Sequence, residues 1–148
     1  MKTRISKHFC TLIFLASTAF DLAAENRNAT MVFIKQQLEI SVEIAASRAE
    51  REQGLMLRTS LGEKQGMLFV YPDQAPRDLW MKNTLLPLDV LFLADDGRIV
   101  SMLSNLQPCK NNPCPIYNSR TSAMYMLELN AHFIKNNRLK IGQRLLLP

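Results

Sequence analysis

Short runs of alternating apolar and polar residues recur from residue 31 to the end of the chain. Residues 38–44, LEISVEI, place an apolar side chain at every second position, which is typical of a half-buried antiparallel strand. Turn signals separate such runs at short spacing. The pattern therefore predicts a mainly β domain of about seven or eight strands, either a single antiparallel β-sandwich or a partly closed β-barrel.

Two short helices are predicted between the strands. Ser47-Arg48-Ala49-Glu50 has the spacing of a capping box, in which the serine and glutamate side chains bind the first free N–H groups of a helix. Gly54 follows about two turns later and is suited to end that helix. Residues 131–137 predict a second, briefer helical turn before the closing strand.

Residues 78–97, DLWMKNTLLPLDVLFLADDG, concentrate polar and aromatic candidates in an otherwise apolar stretch. The run at 87–94 is apolar on both strand faces except at Asp89, which predicts a central strand buried on both sides. The Asp96-Gly97 pair then predicts a hairpin turn into the next strand.

Asp89 needs a partner, because an ionised carboxylate in a buried strand costs several kcal/mol unless it is paired or hydrogen-bonded. Lys82 lies only a loop away. One interpretation is a binding site made of Trp80, Lys82, Asn83 and Asp89. The alternative is structural: Asp89 caps the turn at residues 82–84, Trp80 anchors the core, and Lys82 extends to solvent.

Glu128 and Arg58 complete the candidate site residues. Glu128 lies on an apolar strand, and if it converges with Asp89 the two could act as general acid and base in a hydrolase or lyase. Otherwise Glu128 ends its strand at the surface or pairs with a basic residue. Arg58 is suited either to clamp an anionic substrate or to form an ion pair with Glu63 or Asp78.

Seven motifs occur in order along the chain: GLMLR (54–58), GMLFVY (66–71), WMKNT (80–84), PLDVLF (87–92), DGRIV (96–100), a segment with Cys109 and Pro113-Cys114, and YMLELN (125–130). Together they resemble the domain of unknown function 192 (DUF192) family over about residues 32–147. The resemblance implies a small, β-rich, often exported bacterial or archaeal domain. It implies no established activity.

The first residues differ in character from the rest of the chain. Lys2, Arg4 and Lys7 precede a short apolar run at 9–20, and small residues follow it. This pattern predicts a secretory signal peptide over residues 1–24, with an uncleaved anchor as the alternative. After it we expect a disordered lead-in at residues 25–30 and one β-rich domain at residues 31–148, so the protein would be periplasmic or secreted.

The charge of the chain partly reflects this predicted signal peptide. The formal net charge of +5 falls to about +3 without residues 1–24, because they contain three basic residues and one acidic residue. The remaining Lys and Arg residues are scattered rather than interleaved with aromatic residues, which disfavours a nucleic-acid-binding protein. No later stretch is long and apolar enough to predict a transmembrane segment.

Two cysteines, Cys109 and Cys114, remain after the predicted cleavage, and an even number in an exported protein predicts one disulfide. A thioredoxin-like motif would need two intervening residues rather than four. A zinc site would need further ligands, but the remaining histidine is His132 alone. The methionines are spread over separate apolar runs, as in core packing, so we predict no metal and no cofactor.

These features favour an extracytoplasmic binding module for a small polar ligand, either a glycan fragment or a carboxylate. The ligand would stack on Trp80 and form hydrogen bonds with Lys82, Asn83 and Asp89. The first alternative is a hydrolase or lyase that uses Asp89 and Glu128. The second is a structural or assembly protein of the cell envelope. The patterns predict no specific enzyme activity and no oligomeric state.

Overall fold

The computed structural model describes residues 28–148. The predicted signal peptide, residues 1–24, lies outside this range, as do residues 25–27 of the predicted lead-in. Residues 28–30 do not form a lead-in, because they begin the first strand, where Asn28 pairs with Glu43 and Thr30 with Ser41. Backbone pairing thus extends this strand beyond its apolar residues.

The described residues form nine strands and two short helices. In chain order these are β1 Asn28–Phe33, β2 Leu38–Ala45, α1 Arg48–Gln53, β3 Gln65–Ala75, β4 Asp78–Trp80, β5 Leu88–Leu93, β6 Ile99–Leu106, β7 Ile116–Asn118, β8 Ala123–Asn130, α2 Phe133–Asn136 and β9 Leu145–Leu146. The predicted mainly β fold with two short helices is confirmed.

Seven strands form one sheet in the order β6-β5-β8-β3-β2-β1-β9, while β4 and β7 form a separate two-stranded sheet. All pairings are antiparallel except β2 with β3, which run parallel. A parallel pair requires the chain to return to the starting end of the sheet, and α1 lies in that connection. Because this crossover must pass over the sheet, α1 lies on one face of it.

The two edges of the large sheet meet and curl it into a partly closed barrel. Ile99 at the start of β6 donates its N–H to Gln143, at 2.8 Å, and accepts a hydrogen bond from Gly142. Leu145 of β9 donates to the carbonyl of Gly97 at 3.0 Å. These bonds satisfy backbone groups that an open edge would leave exposed, so the barrel form of the predicted fold is the one observed.

Both faces of the sheet are buried. All seven strands of the large sheet contribute to an inner cluster, which also contains Phe133 of α2. The outer cluster covers the other face of β3, β5 and β8 with residues such as Leu55, Leu79 and Met81. Strand β5 lies between the two clusters and all six of its residues are buried, as its doubly apolar pattern predicts.

Replacing Gly97 with alanine tests the closure of the barrel. Gly97 has φ +76°, and an added Cβ would overlap the carbonyl oxygen of Leu145, so we expect the free energy of unfolding to fall by about 2 kcal/mol or more. Gly142 is the matched control, because it has φ +88° but open space around the Cβ position; alanine there should cost only about 1 kcal/mol. Equal losses of unfolding free energy in the two variants would show that the overlap between the Cβ added at residue 97 and the Leu145 carbonyl adds no cost.

Candidate functional site

A cavity of about 340 Å³ opens on the outer face of the sheet, between the end of α1 and strand β4. Its walls combine charged, aromatic and apolar side chains. The lining residues are Arg48, Arg51, Glu52, Gln53, Gly54, Leu55, Met56, Phe69, Tyr71, Asp78, Leu79, Trp80, Thr84, Met126 and Glu128. Of the predicted site residues, Trp80 and Glu128 lie here.

Local sequence signals fix the helical wall of the cavity. Ser47 caps α1 and Glu50 reaches back to the cap, which is the predicted capping box. Gly54 ends the helix with φ 46° and donates its N–H to the carbonyl of Glu50 at 2.8 Å. Arg51, on the same helix, donates to the carbonyl of Val70 at 2.9 Å. The helix is thus tied to β3 at the cavity wall.

Two guanidinium groups lie close to the ring of Tyr71. The Arg77 Cζ atom is 4.0 Å from the centre of its ring, and the Arg51 Cζ atom is 5.1 Å away. Arg77 is held in turn by the carbonyl of Ala123, to which its Nε donates at 3.0 Å. Burial raises the pKa of Tyr71 above its ordinary value, partly opposed by the two arginines. The phenol is therefore protonated and can serve as a donor beside the cavity.

Glu128 contributes a buried carboxyl group to the cavity. The residue is only 7% exposed, and no residue of the described range 28–148 gives its carboxyl group a hydrogen bond or an ion pair. Burial raises the pKa of Glu128 from 4.5 to about 8, because desolvation disfavours the charged form. The group is then neutral near pH 7, able both to donate and to accept. Neither predicted alternative, a surface position or a basic partner, is observed.

Trp80 forms part of the cavity rim. It remains 48% exposed, whereas its neighbours Leu79 and Met81 enter the outer cluster. The Nζ atom of Lys82 lies 5.1 Å from the centre of the Trp80 ring, a cation–π distance. The structural alternative, in which Trp80 anchors the core, is therefore wrong. An aromatic surface remains available to solvent beside a polar cavity.

Asp89 does not contribute to the cavity and is not paired with Lys82. It is fully buried, and its two carboxylate oxygens accept backbone hydrogen bonds from Asn105 at 2.7 Å and Ile134 at 2.8 Å. The first donor lies in a bulge of β6 and the second in the first turn of α2. Asp89 is a cap, as the structural alternative proposes, but of these two segments rather than of the turn at 82–84.

Asp89 and Glu128 lie on opposite faces of the sheet. Val90 pairs with Glu128 across β5 and β8, so these two side chains share the outer face, while the preceding Asp89 points inward. A substrate in the outer cavity therefore contacts Glu128 and not Asp89. The structure does not bring together the predicted acid/base pair.

Arg58 and Asn83 lie apart from the cavity lining. Arg58 forms a two-pronged ion pair with Glu43, with one N–O distance of 2.6 Å, rather than with Glu63 or Asp78; this contact raises the pKa of the guanidinium further. Asn83 has φ 56°, and its carbonyl accepts a hydrogen bond from Leu57 at 2.9 Å.

The predicted disulfide between Cys109 and Cys114 is present, with Cα atoms 5.8 Å apart. Cys109 donates its N–H to the carbonyl of Met81 at 3.1 Å and forms a bridge with Lys82. The disulfide loop is therefore attached to the segment that carries Trp80. Within residues 28–148, no cluster of His, Cys, Asp or Glu could hold a metal ion, and no helix is long and apolar enough to cross a membrane.

Sequence reasoning missed Arg51, Tyr71 and Arg77. A signal for Tyr71 was present, because Met67, Phe69 and Tyr71 alternate along one strand and so share a face. Relating that face to Glu128 requires the pairing of Met67 with Glu128. Such a register between strands distant in sequence cannot be read from either strand alone.

Solved structures that resemble this fold include two that are described here. One, from Sinorhizobium meliloti 1021 and described as a "putative transcription regulator", is 38% identical with a TM-score of 0.73, covering 79% of this chain and 89% of that chain. The other, a protein of unknown function from Novosphingobium aromaticivorans DSM 12444, is 26% identical with a TM-score of 0.70, covering 81% of this chain and 84% of that chain.

A comparison with curated proteins gives no match. Residues 30–147 match DUF192, a family described as uncharacterized ACR. The match spans nearly all of the described residues and contains every motif on which the resemblance rests. The chain belongs to the DUF192 family.

Proposed function

We propose that this protein is an extracytoplasmic binding module for a small polar ligand, and that the ligand is an uncharged polyhydroxylated group such as one ring of a glycan fragment. The group would occupy the cavity between α1 and β4, with an apolar face against Trp80. Aromatic stacking beside a few converging polar groups is a common way for concave sites to hold such ligands.

The observation that carries this proposal is the unpartnered Glu128 carboxyl in the cavity. No buried side-chain oxygen of residues 28–148 lacks a partner, so the unpartnered Glu128 oxygens are accessible from the cavity that they line. A ligand or water there can complete their hydrogen bonding. A neutral carboxyl both donates and accepts, which matches a hydroxyl group. A purely structural envelope protein would gain stability from an apolar residue at this position.

The charges around the cavity favour an uncharged group over a carboxylate within the cavity itself. Arg48 is paired with Glu52 at 2.7 Å, and Arg51 is engaged with backbone carbonyls and with Tyr71. No cation among the lining residues is therefore free to neutralise an anion, and burying an anion without one costs several kcal/mol.

The predicted signal peptide supports the extracytoplasmic part of the proposal. The basic, apolar and small-residue segments of residues 1–24 follow the order of a signal peptide. A disulfide such as Cys109–Cys114 persists in oxidising compartments. A binding module for glycan fragments would find its ligands in the same compartments.

Because Trp80 is the only tryptophan in the chain, its fluorescence reports directly on this site. We expect neutral trisaccharides, namely cellotriose, chitotriose and maltotriose, to include at least one that changes the emission saturably. Glu128→Ala should weaken that binding about tenfold or more, the loss that corresponds to about 1.4 kcal/mol of hydrogen bonding. Titration calorimetry gives the same affinities independently.

The matched control is Glu63→Gln, which alters an exposed carboxylate outside this cavity and should leave the affinity unchanged. Glu128→Gln should retain most of the binding, because an amide both donates and accepts. Binding that survives Glu128→Ala, or no binding of any trisaccharide in both assays, would contradict the proposed function.

A further inference from the structure

The cavity shares lining residues with two neighbouring depressions, and the three together are called the cleft. Thr84 lines both this cavity and a second groove of about 650 Å³. On the other side, Asp78, Leu79 and Trp80 line both the cavity and a small apolar hollow that ends at Ile116. Three adjoining depressions joined by shared walls fit a chain of several units better than a single small molecule.

The second groove is built by the disulfide loop and by the turn after Trp80. Its lining residues are Leu57, Asn83, Thr84, Leu85, Pro87, Gln107, Pro108, Cys109 and Lys110. Leu57 and Asn83 both have positive φ, 61° and 56°, and a backbone hydrogen bond joins them. Left-handed backbone at a bulky residue such as leucine is uncommon and is often found at ligand sites.

The charges of this groove differ from those of the cavity. Lys110 is its only charged lining residue and has no ion pair or hydrogen bond within residues 28–148. Lys82, half-buried, is adjacent through its bridge to Cys109. Its ammonium lies 5.1 Å from the centre of the Trp80 ring and forms no hydrogen bond or ion pair with residues 28–148. No acidic side chain lines the groove, so two cations near this end lack counter-charges.

We propose that the ligand is an acidic oligosaccharide, with an uncharged ring in the Glu128 cavity and a carboxylate-bearing unit in the Lys110 groove. This inference rests on the proposed function and adds the chain length and the charge of the ligand. An ammonium that has no protein counter-ion is a suitable partner for a ligand carboxylate. The exposed Leu57 and Leu85 side chains give the same unit apolar surface to contact.

The test compares each neutral trisaccharide with its derivatives that carry a uronate at either end. Using Trp80 fluorescence and calorimetry, we expect one uronate derivative to bind about fivefold or more tightly than its neutral parent at low salt. About 0.5 M NaCl should abolish this gain, because it screens exposed charges. Lys110→Gln and Lys82→Gln should each reduce the gain, and Lys110→Gln, which lies outside the Glu128 cavity, should leave the neutral affinity within about twofold.

Lys64→Gln is the matched control, since Lys64 is exposed and lies outside the cleft, and it should not change the preference. Equal affinity for neutral and acidic forms, or a preference that survives both lysine substitutions, would overturn the acidic-ligand inference while leaving the proposed function standing. If no trisaccharide of either kind binds, both fail together.

Discussion

Replacing Asp89 with asparagine is expected to lower the free energy of unfolding by about 3 kcal/mol. The carboxylate is fully buried, and each of its oxygens accepts one backbone hydrogen bond, from Asn105 and from Ile134. Asparagine keeps one acceptor and places an NH2 group against the second donor. One buried N–H group would then lose its partner in a position where water cannot replace it.

Denaturant unfolding near pH 7 measures this loss, with far-UV circular dichroism to confirm that the variant folds. Asp95→Asn is the matched control, because Asp95 lies exposed in the β5–β6 turn, and it should change the free energy by less than about 0.5 kcal/mol. A loss below about 1 kcal/mol for Asp89→Asn would contradict the capping role. It would instead suggest that Asp89 is held at an energetic cost for a function.

Asp89 connects three parts of the fold. It lies on the buried strand β5, accepts a hydrogen bond from a bulge in β6 and accepts another from the first turn of α2. In the bulge, Asn105 has φ 54°, and a bulge leaves a backbone group without its ladder partner. The carboxylate supplies that partner, so a residue that resembles a site residue in sequence serves to close one end of the barrel.

Features set by neighbouring residues could be predicted from sequence. The capping box of Ser47 and Glu50, the burial of β5 and the disulfide of Cys109 with Cys114 all occur as predicted. Each depends on a spacing of a few residues, such as the i, i+3 contact of the cap. The mainly β composition followed from the same local patterns.

Features set by contacts between distant segments could not be predicted. Alternation placed Asp89 and Glu128 each on a face of its own strand, but only the pairing of Val90 with Glu128 shows that the faces are opposite. The parallel pairing of β2 with β3 was also missed, since nothing in either strand distinguishes it. Proline is disfavoured inside a strand, yet β3 continues past Pro72 to Ala75, with its pairing to β8 interrupted after Val70.

Glu128→Gln is expected to make stability less sensitive to alkaline pH. The pKa of Glu128 is raised to about 8 in the folded protein, against about 4.3 in an unfolded chain. Between these values the folded state holds a proton that the unfolded state has released. The free energy of unfolding therefore falls as pH rises through this window, by up to about 1.4 kcal/mol per pH unit from this group alone.

Glutamine has no proton to lose, so the variant lacks this contribution. The variant's free energy of unfolding minus that of the wild type should therefore rise by about 4 kcal/mol between about pH 5 and pH 9. Urea unfolding of both proteins at several pH values measures this difference. Subtraction cancels the titration of all other groups, because they are the same in both proteins. Glu63→Gln, at an exposed position, should give a difference that stays constant.

A constant difference for Glu128→Gln would show that the carboxyl titrates normally, and the neutral donor required at the binding site would be absent near pH 7. A rising difference would support that donor independently of any ligand. It would also predict how binding depends on pH, because ionised Glu128 can no longer donate to a hydroxyl group. Affinity for a neutral glycan should then weaken above about pH 8 in the wild type and remain constant in Glu128→Gln.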